Sequence, residues 1–308
     1  MMVAIIMNYM NNVTFRLLEV FKCVVESGSI TAASTALSLS QPTVSLQLKK
    51  LSEIYGITLL ETHHGSIALT DAGRAVYQCA TSVMESQRSL QNHIHALKGQ
   101  KAGTFKVAVV STAKYLVPQI LKTFCKEYPD VYVQVKVGNS SQIEARMSEQ
   151  QDDLYIVANV PENLEVEVTP FMQNRLKVVA SPEYSGPNHC HLSALAEQTF
   201  LLREEGSNTF TTFNRYCEQN NVLLKDVLVI ESNEAIQLAV HSGIGISVLS
   251  EHTIAQTDKH RVQELNIIDF PLVSHWHAVS VMNRPSNGVL TAFKSHLQIV
   301  GQQQNIFI

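Results

Sequence analysis

Three sets of residues carry groups that could do chemistry. The first is Ser40-Gln41-Pro42-Thr43-Val44-Ser45-Leu46-Gln47-Leu48-Lys49-Lys50, where hydroxyls, amides and two cations share one short stretch. That mixture suits a surface that reads base edges and grips phosphates together. The second is a series of hydroxyl and amide residues just after strand-like runs: Ser111, Thr112, Asn139, Ser140, Ser207, Asn208 and Thr209. With free backbone N–H groups at helix starts they suit a small anionic or polar ligand. Taken singly, each is an ordinary helix cap. The third set is His189-Cys190-His191 and His275-Trp276-His277. Alternate residues of a strand share a face, as a metal site needs, but neither motif has a companion pair at ligand spacing. No metal is expected.

Other reactive residues point away from catalysis. The five cysteines, Cys23, Cys79, Cys125, Cys190 and Cys217, are scattered and form no CxxC pair, which suits a reducing cytosol. A redox switch through Cys190 and Cys217 lacks a basic setting. Gly243-Ile244-Gly245-Ile246 is followed by a strand pattern where a dinucleotide fingerprint needs a helix. No nucleophile–base set emerges, so neither an enzyme nor a cofactor is expected.

With 308 residues, 45% hydrophobic and 16% charged, the chain has room for two soluble domains. Its formal net charge of −4 excludes a protein that coats nucleic acid by bulk charge, but not one with a small, placed basic surface. Residues 1–9 are apolar, yet too short and without the cationic start of a secretory signal. They read as a frayed extension or a misassigned start. No window approaches the run of about 20 apolar residues of a membrane span, so a cytoplasmic protein without a membrane partner is expected.

The elements that must position these groups follow from caps and periodicity. Thr14 caps a helix with Leu17, Leu18, Phe21, Val24 and Val25 at helical spacing, and Gly28 ends it. Ser29 starts a short helix with Ala32, Ala33, Ala36 and Leu37. Ser38-Leu39-Ser40 leads into a third, with Ser40 as cap and Pro42 in the first turn. Two helices across so tight a turn form a helix-turn-helix. Val44, Leu48 and Leu51 face its core. Pro42, Ser45, Leu46 and Lys49 then face outward, with Gln41, Thr43 and Lys50 flanking; the plainer reading is a solvated polar face.

Asp71 to Leu97 reads as one long helix. Its Val76, Val83, Leu90 and Leu97 are seven apart, the seam spacing of a paired helix, which predicts a dimer. Gly99 to Gly103 is a hinge candidate.

Beyond it, Thr104–Val110, Val131–Val137 and Leu154–Ala158 read as strands alternating with helices. Leu176–Ala180, Phe200–Leu202, Val227–Ile230 and Ile244–Leu249 make a second such unit. Trp276–Met282 and a last helix, Val289 to Ile299, return to the first lobe. The chain is expected to cross between lobes near Thr169-Pro170-Phe171 and Asp269-Phe270-Pro271. Ligands of such α/β units lie beyond the carboxyl ends of the strands.

Ala32-Ala33, Leu37, Ser40-Gln41-Pro42, Val44-Ser45, Leu48, Leu51, Gly56, Leu59 and Leu69-Thr70-x-Ala72-Gly73 follow the order and spacing of the LysR-type signature. The chain resembles LysR-type transcription regulators from about Val13 to Leu297. Val137-Gly138-Asn139, Leu202-Arg203-Glu204, Gly206-Ser207, Ser232-Asn233-Glu234-Ala235-Ile236, Phe270-Pro271-Leu272 and His275-Trp276 are most similar to the CbbR-type regulators of carbon-fixation genes.

The resemblance implies an α/β chain with a winged helix-turn-helix over residues 13–70, a linker helix over 71–98 and a two-lobed effector domain over 103–303. Lobe 1 would span about 103–169 and 270–303, and lobe 2 about 170–269, as in periplasmic binding proteins. Ser40 to Thr43, Ser45, Leu46, Gln47, Lys49, Lys50 and the wing's His63 and His64 would contact double-stranded DNA at an interrupted palindrome. The effector site would add Arg203, Asn233 and Glu234 to Ser111, Thr112, Asn139, Ser140, Ser207, Asn208 and Thr209. A homodimer or homotetramer is implied, with RNA polymerase as a further partner. The sequence departs from the family at Leu60-Glu61-Thr62, where an aromatic and an arginine are usual, and at Phe210, where the subfamily often has arginine. That loss of a cation favours a singly charged or carboxylate effector over a bisphosphate. A solute-binding protein would explain only the bilobal part. A redox- or metal-responsive sensor would need residue pairs that are missing.

Overall fold

The computed structural model describes residues 12–63, 66–255, 261–282 and 288–302, in two compact units divided between Leu90 and Gln91. The expectations for residues 1–9 and for His64 lie outside the described residues.

In the first unit, α1 (Phe15–Ser27), α2 (Ile30–Ala36) and α3 (Gln41–Tyr55) are capped by the hydroxyls of Thr14, Ser29 and Ser40. Each accepts a backbone N–H that the helix leaves orphaned. Leu17, Leu18, Phe21, Leu51, Leu59, Val76 and Ala80 form one core cluster, and Val20, Val24, Ala33 and Val44 a second. Of the three alanines of α2, only Ala33 is buried; Ala32 and Ala36 are exposed. The hairpin β1 (Leu60–His63) and β2 (Ser66–Leu69) pairs antiparallel as the wing.

Helix α4 (Asp71–Leu97) crosses the division between the units. Thr70 starts it by accepting the N–H of Gly73 at 2.9 Å. Val76 is packed inside the first unit, because the first turns of α4 cover Leu59. Val83, Leu90 and Leu97 are exposed, Leu90 at 57% and Leu97 at 74%. Val76 is therefore not available to the expected seam.

The second unit begins with the end of α4. Buried Asn92 donates from Nδ2 to the carbonyl of Thr104 at 2.8 Å. Gly103 lies at φ 111°, and a Cβ there would meet Asn92 Oδ1 at 2.4 Å. The stretch expected as a hinge is thus pinned at its far end.

The chain continues through β3 (Gly103–Val110), a 3-10 turn at Ala113–Tyr115, α5 (Val117–Glu127), β4 (Val131–Gly138), α6 (Ser140–Ser148) and β5 (Leu154–Val157). The helix expected directly after Ser111-Thr112 splits in two, with Pro118 in the first turn of α5. Next come β6 (Val166–Ala180), β7 (Thr199–Leu202), α7 (Asn208–Gln219), β8 (Asp226–Val229), α8 (Asn233–His241) and β9 (Ile246–Ser250). A short α9 (Glu251–Ala255), β10 (Gln263–Glu264), β11 (Leu272–Val281) and α10 (Gly288–Gln302) complete it.

The strands form one mixed sheet in the order β4-β3-β5-β11-β6-β9-β7-β8, with β10 on β6. β3 runs parallel to β4 and β5, and β7 parallel to β8 and β9. Parallel pairs need crossover helices, which place α5, α6, α7 and α8 after strand ends.

Antiparallel β6 and β11 carry the chain through both lobes. Phe171, Met172 and Trp276 belong to the core built on Phe105, Phe124 and Phe293, whereas Leu176, Phe270 and Leu272 pack with Phe200 and Phe213. The crossing falls at residues 173–175 and 273–275, beyond the two prolines that the sequence marks. Pro170 pairs with His277 beside a register break that skips Phe171, where a missing N–H costs little, so β6 runs on unbroken.

Candidate functional site

Two places gather the candidate residues. On α3, Gln41, Pro42, Ser45, Leu46, Lys49 and Lys50 are exposed, while Val44 and Leu51 are fully buried and Leu48 packs against both cores. Leu46 stands 67% exposed at the centre of this face. The Ser40 hydroxyl caps Thr43 N–H at 3.3 Å and shares a hydrogen bond with the Thr43 hydroxyl at 2.8 Å, so both are committed to starting the helix. Gln47 Oε1 is buried and unpartnered, which takes its carbonyl end off the outer face. Lys49 lies 3.8 Å from Glu53 with both side chains exposed, a weak tie that a phosphate could replace. His63 ends β1 at the wing, paired with Ser66 in register.

The second place is where the helices of the second unit begin. Thr112, Arg203, Ser207, Asn208, Thr209 and Asn233 are all buried. Burial of so many polar side chains is costly unless each finds a partner. Several do not. Asn208 Oδ1 has no hydrogen bond, and neither Oδ1 nor Nδ2 of Asn233, 2% exposed, has one. Ser207 holds the N-cap position of α7 without a side-chain cap bond, and Thr112 likewise before its 3-10 turn. By contrast, Asn139 forms a capping box with Gln142 on α6, and Ser232 caps α8. The buried start of α7 therefore offers backbone donors and a positive dipole end that no side chain of its own quenches.

Contacts between the lobes surround this start. Arg203, 3% exposed, donates from Nη1 to Ser111 Oγ at 3.2 Å. From Nε and Nη2 it forks onto Glu204 at 2.8 and 2.9 Å. Asn139 Nδ2 approaches Glu204 Oε1 at 3.4 Å, and Ser140 N–H donates to Gly206 O at 3.0 Å. Gly206 lies at φ 85°, and a Cβ there would meet Ser141 Oγ at 2.6 Å. Glu234 receives Lys114 Nζ at 2.6 Å and the Tyr115 hydroxyl at 2.8 Å. Burial opposes ionisation of Glu234, but bonds from Lys114, its own backbone, Tyr115 and Ser232 outweigh it and hold the carboxyl down at about 2. The Tyr115 phenol is pushed well up, first by burial and then by Glu234.

All ten expected effector residues lie on these strand-end segments. Ser111, Asn139 and Glu234 are engaged in inter-lobe bonds, and Ser140 in a backbone one. The sequence reading omitted Glu204, Lys114 and Tyr115 from the site. Phe210 packs against the core of lobe 2. The histidine motifs have other duties: His191 Nδ1 pairs with Asp269 at 3.1 Å, and His277 Nδ1 with the carbonyl of Ala158 at 3.1 Å. Among the described residues, no three His, Cys, Asp or Glu side chains could hold a metal ion together. Nor is any described helix long and apolar enough to cross a membrane.

A three-helix reader with a wing, a long helix and a bilobal α/β domain with polar strand ends define a ligand-responsive regulator. The family comparison agrees: residues 15–74 match the bacterial regulatory helix-turn-helix protein, lysR family, and residues 98–301 match the LysR substrate binding domain. The chain belongs to the LysR family of transcription regulators. It is 33% identical to the HTH-type transcriptional activator CmpR of Synechocystis, over 94% of this chain and 96% of that one. It is also 33% identical to the RuBisCO operon transcriptional regulator of Allochromatium vinosum, over 87% and 90%. The regulatory domain of CcmR from Synechocystis, solved in complex with 2-PG, superimposes with a TM-score of 0.61 at 34% identity, covering 65% of this chain and 97% of that one.

Proposed function

We propose that the chain is a cytoplasmic, non-enzymatic regulator of carbon-fixation genes, governed by a small anionic metabolite bound where α7 and α8 begin. One observation carries the effector half: buried Asn233 with neither side-chain polar atom partnered and buried Asn208 with an orphaned Oδ1, together with an uncapped helix start and a buried arginine. Orphaned buried donors and acceptors of this kind call for a ligand to pair them. The 2-PG complex of the CcmR domain supports the choice of an anion. The outer face of α3 would read DNA, and a dimer joined through Val83, Leu90 and Leu97 would present two such faces to a palindrome.

The test is a calorimetric titration of the full chain with 2-PG. Saturable binding in the wild type, weakened in Thr112→Val, is expected. Loss of that one hydroxyl should cost about 1–3 kcal/mol if its ligand atom is left unpaired. Equal affinities would reduce Thr112 to a structural residue. No binding of 2-PG would remove that ligand from the reading.

A further inference from the structure

We propose that Glu204 is a tethered competitor for Arg203: an anionic effector gains the guanidinium only by displacing a carboxylate of the chain itself. This rests on the reading of the α7 start as the effector site.

Adjacent residues of an extended chain point to opposite sides. Here the chain leaves β7 and folds back at once, with Ser207 N–H returning to Glu204 O at 3.1 Å and Gly206 in the left-handed region. That turn lets Glu204 reach the guanidinium of its own neighbour with both oxygens, at 2.8 and 2.9 Å. Two parallel bonds between an arginine and a carboxylate are the geometry by which proteins seize free carboxylates and phosphates. Oε1 also draws Asn139 from the other lobe, at 3.4 Å. Glu204 thus bridges the lobes as a bound anion would, and with 16% side-chain exposure it is largely screened from water. Burial opposes its charge, yet Arg203, its own backbone and Asn139 keep the carboxyl below its ordinary value, so it is ionised at neutral pH.

Charge counting gives the consequence. Arg203 and Lys114 are matched by Glu204 and Glu234, so the four groups sum to zero. An incoming anion meets no net attraction from these side chains until a carboxylate yields. A monocarboxylate replaces Glu204 with an equal charge and loses the advantage of the tether. A more highly charged anion that also bonds the free N–H groups of α7 does better. Glu204 would therefore select against monocarboxylates, a discrimination built on an unfavourable element as much as on attraction. This revises the preference that Phe210 implies.

The experiment titrates 2-PG, inorganic phosphate and acetate into the full-length wild type, Glu204→Gln and Glu204→Asp. Glu204→Gln should bind 2-PG about tenfold tighter, the factor that about 1.4 kcal/mol makes in an equilibrium constant. It should also acquire measurable phosphate or acetate binding. Glu204→Asp keeps the charge on a shorter arm and should fall between. If the wild type binds 2-PG and Glu204→Gln binds it equally or more weakly, Glu204 orients Arg203 and the competitor role is refuted while the site stands. If neither wild type nor Glu204→Gln binds any of the three anions, the effector reading fails and the proposal with it.

Discussion

Asn174 on β6 and Ser274 on β11 stand directly opposite each other where the two strands pass between the lobes, and Asn174 Nδ2 donates to Ser274 Oγ at 3.1 Å. Ser250 completes the joint by donating to Asn174 Oδ1 at 2.6 Å. A small polar triad thus occupies the point where one apolar core ends and the other begins. Asn174→Ala would leave both serines without their amide partner, at a cost of about 1–3 kcal/mol. Urea unfolding should show a lower midpoint with an unchanged slope. An unchanged midpoint would mean that the serines find other partners.

DNA reading separates two neighbours on α3. Lys49→Ala should weaken all sequences about equally and flatten the salt dependence by about one unit if it neutralises one phosphate. Leu46→Ala should instead relax preference at one position if that exposed leucine meets a thymine methyl in the major groove. Binding-site selection with both variants distinguishes these effects. Unaltered preference after Leu46→Ala would make that side chain a bystander.

The exposed stripe of α4 predicts assembly. Leu90→Glu puts a charge into the seam and should shift the protein toward monomers in light scattering at micromolar concentration. The stripe begins at Val83, so Val76→Ala should lower stability without changing mass. A Leu90→Glu protein of unchanged mass would place the interface elsewhere.

Acid should loosen the second clasp between the lobes. Glu234 titrates at about 2 in the folded chain, below its ordinary 4.5. A depressed carboxyl stabilises the fold above its unfolded value, and that contribution is lost as pH falls through the folded one. The contribution of Glu234 is therefore full above about pH 4.5 and drains away toward about pH 2. The side chain is half exposed, so solvent screening keeps the effect modest. The stability gap between wild type and Glu234→Gln should narrow on acidification through this window. A gap independent of pH would show that the carboxylate charge contributes nothing there.

What the sequence made legible was local. The caps Thr14, Ser29 and Ser40, the core positions Val44 and Leu51, and the strand–turn–helix placement of Ser111, Asn139 and Ser207 depend on neighbours within a few residues. Lys114 and Tyr115 meet Glu234 from about 120 residues away, and no periodicity announces such a pair. Glu204 was hidden for a different reason. Its link to Arg203 depends on a reversal that places adjacent side chains together. The passage between the two cores falls a few residues past the prolines, because Pro170 is absorbed at an irregularity of the β6–β11 ladder.

The clamp of Asn92 on Thr104 leaves no room for a side chain at Gly103. A Cβ there would stand where the amide oxygen of Asn92 lies, in a backbone conformation that glycine alone adopts readily. The join between the end of α4 and β3 is a keyhole, and its tightness rests on an atom that Gly103 lacks.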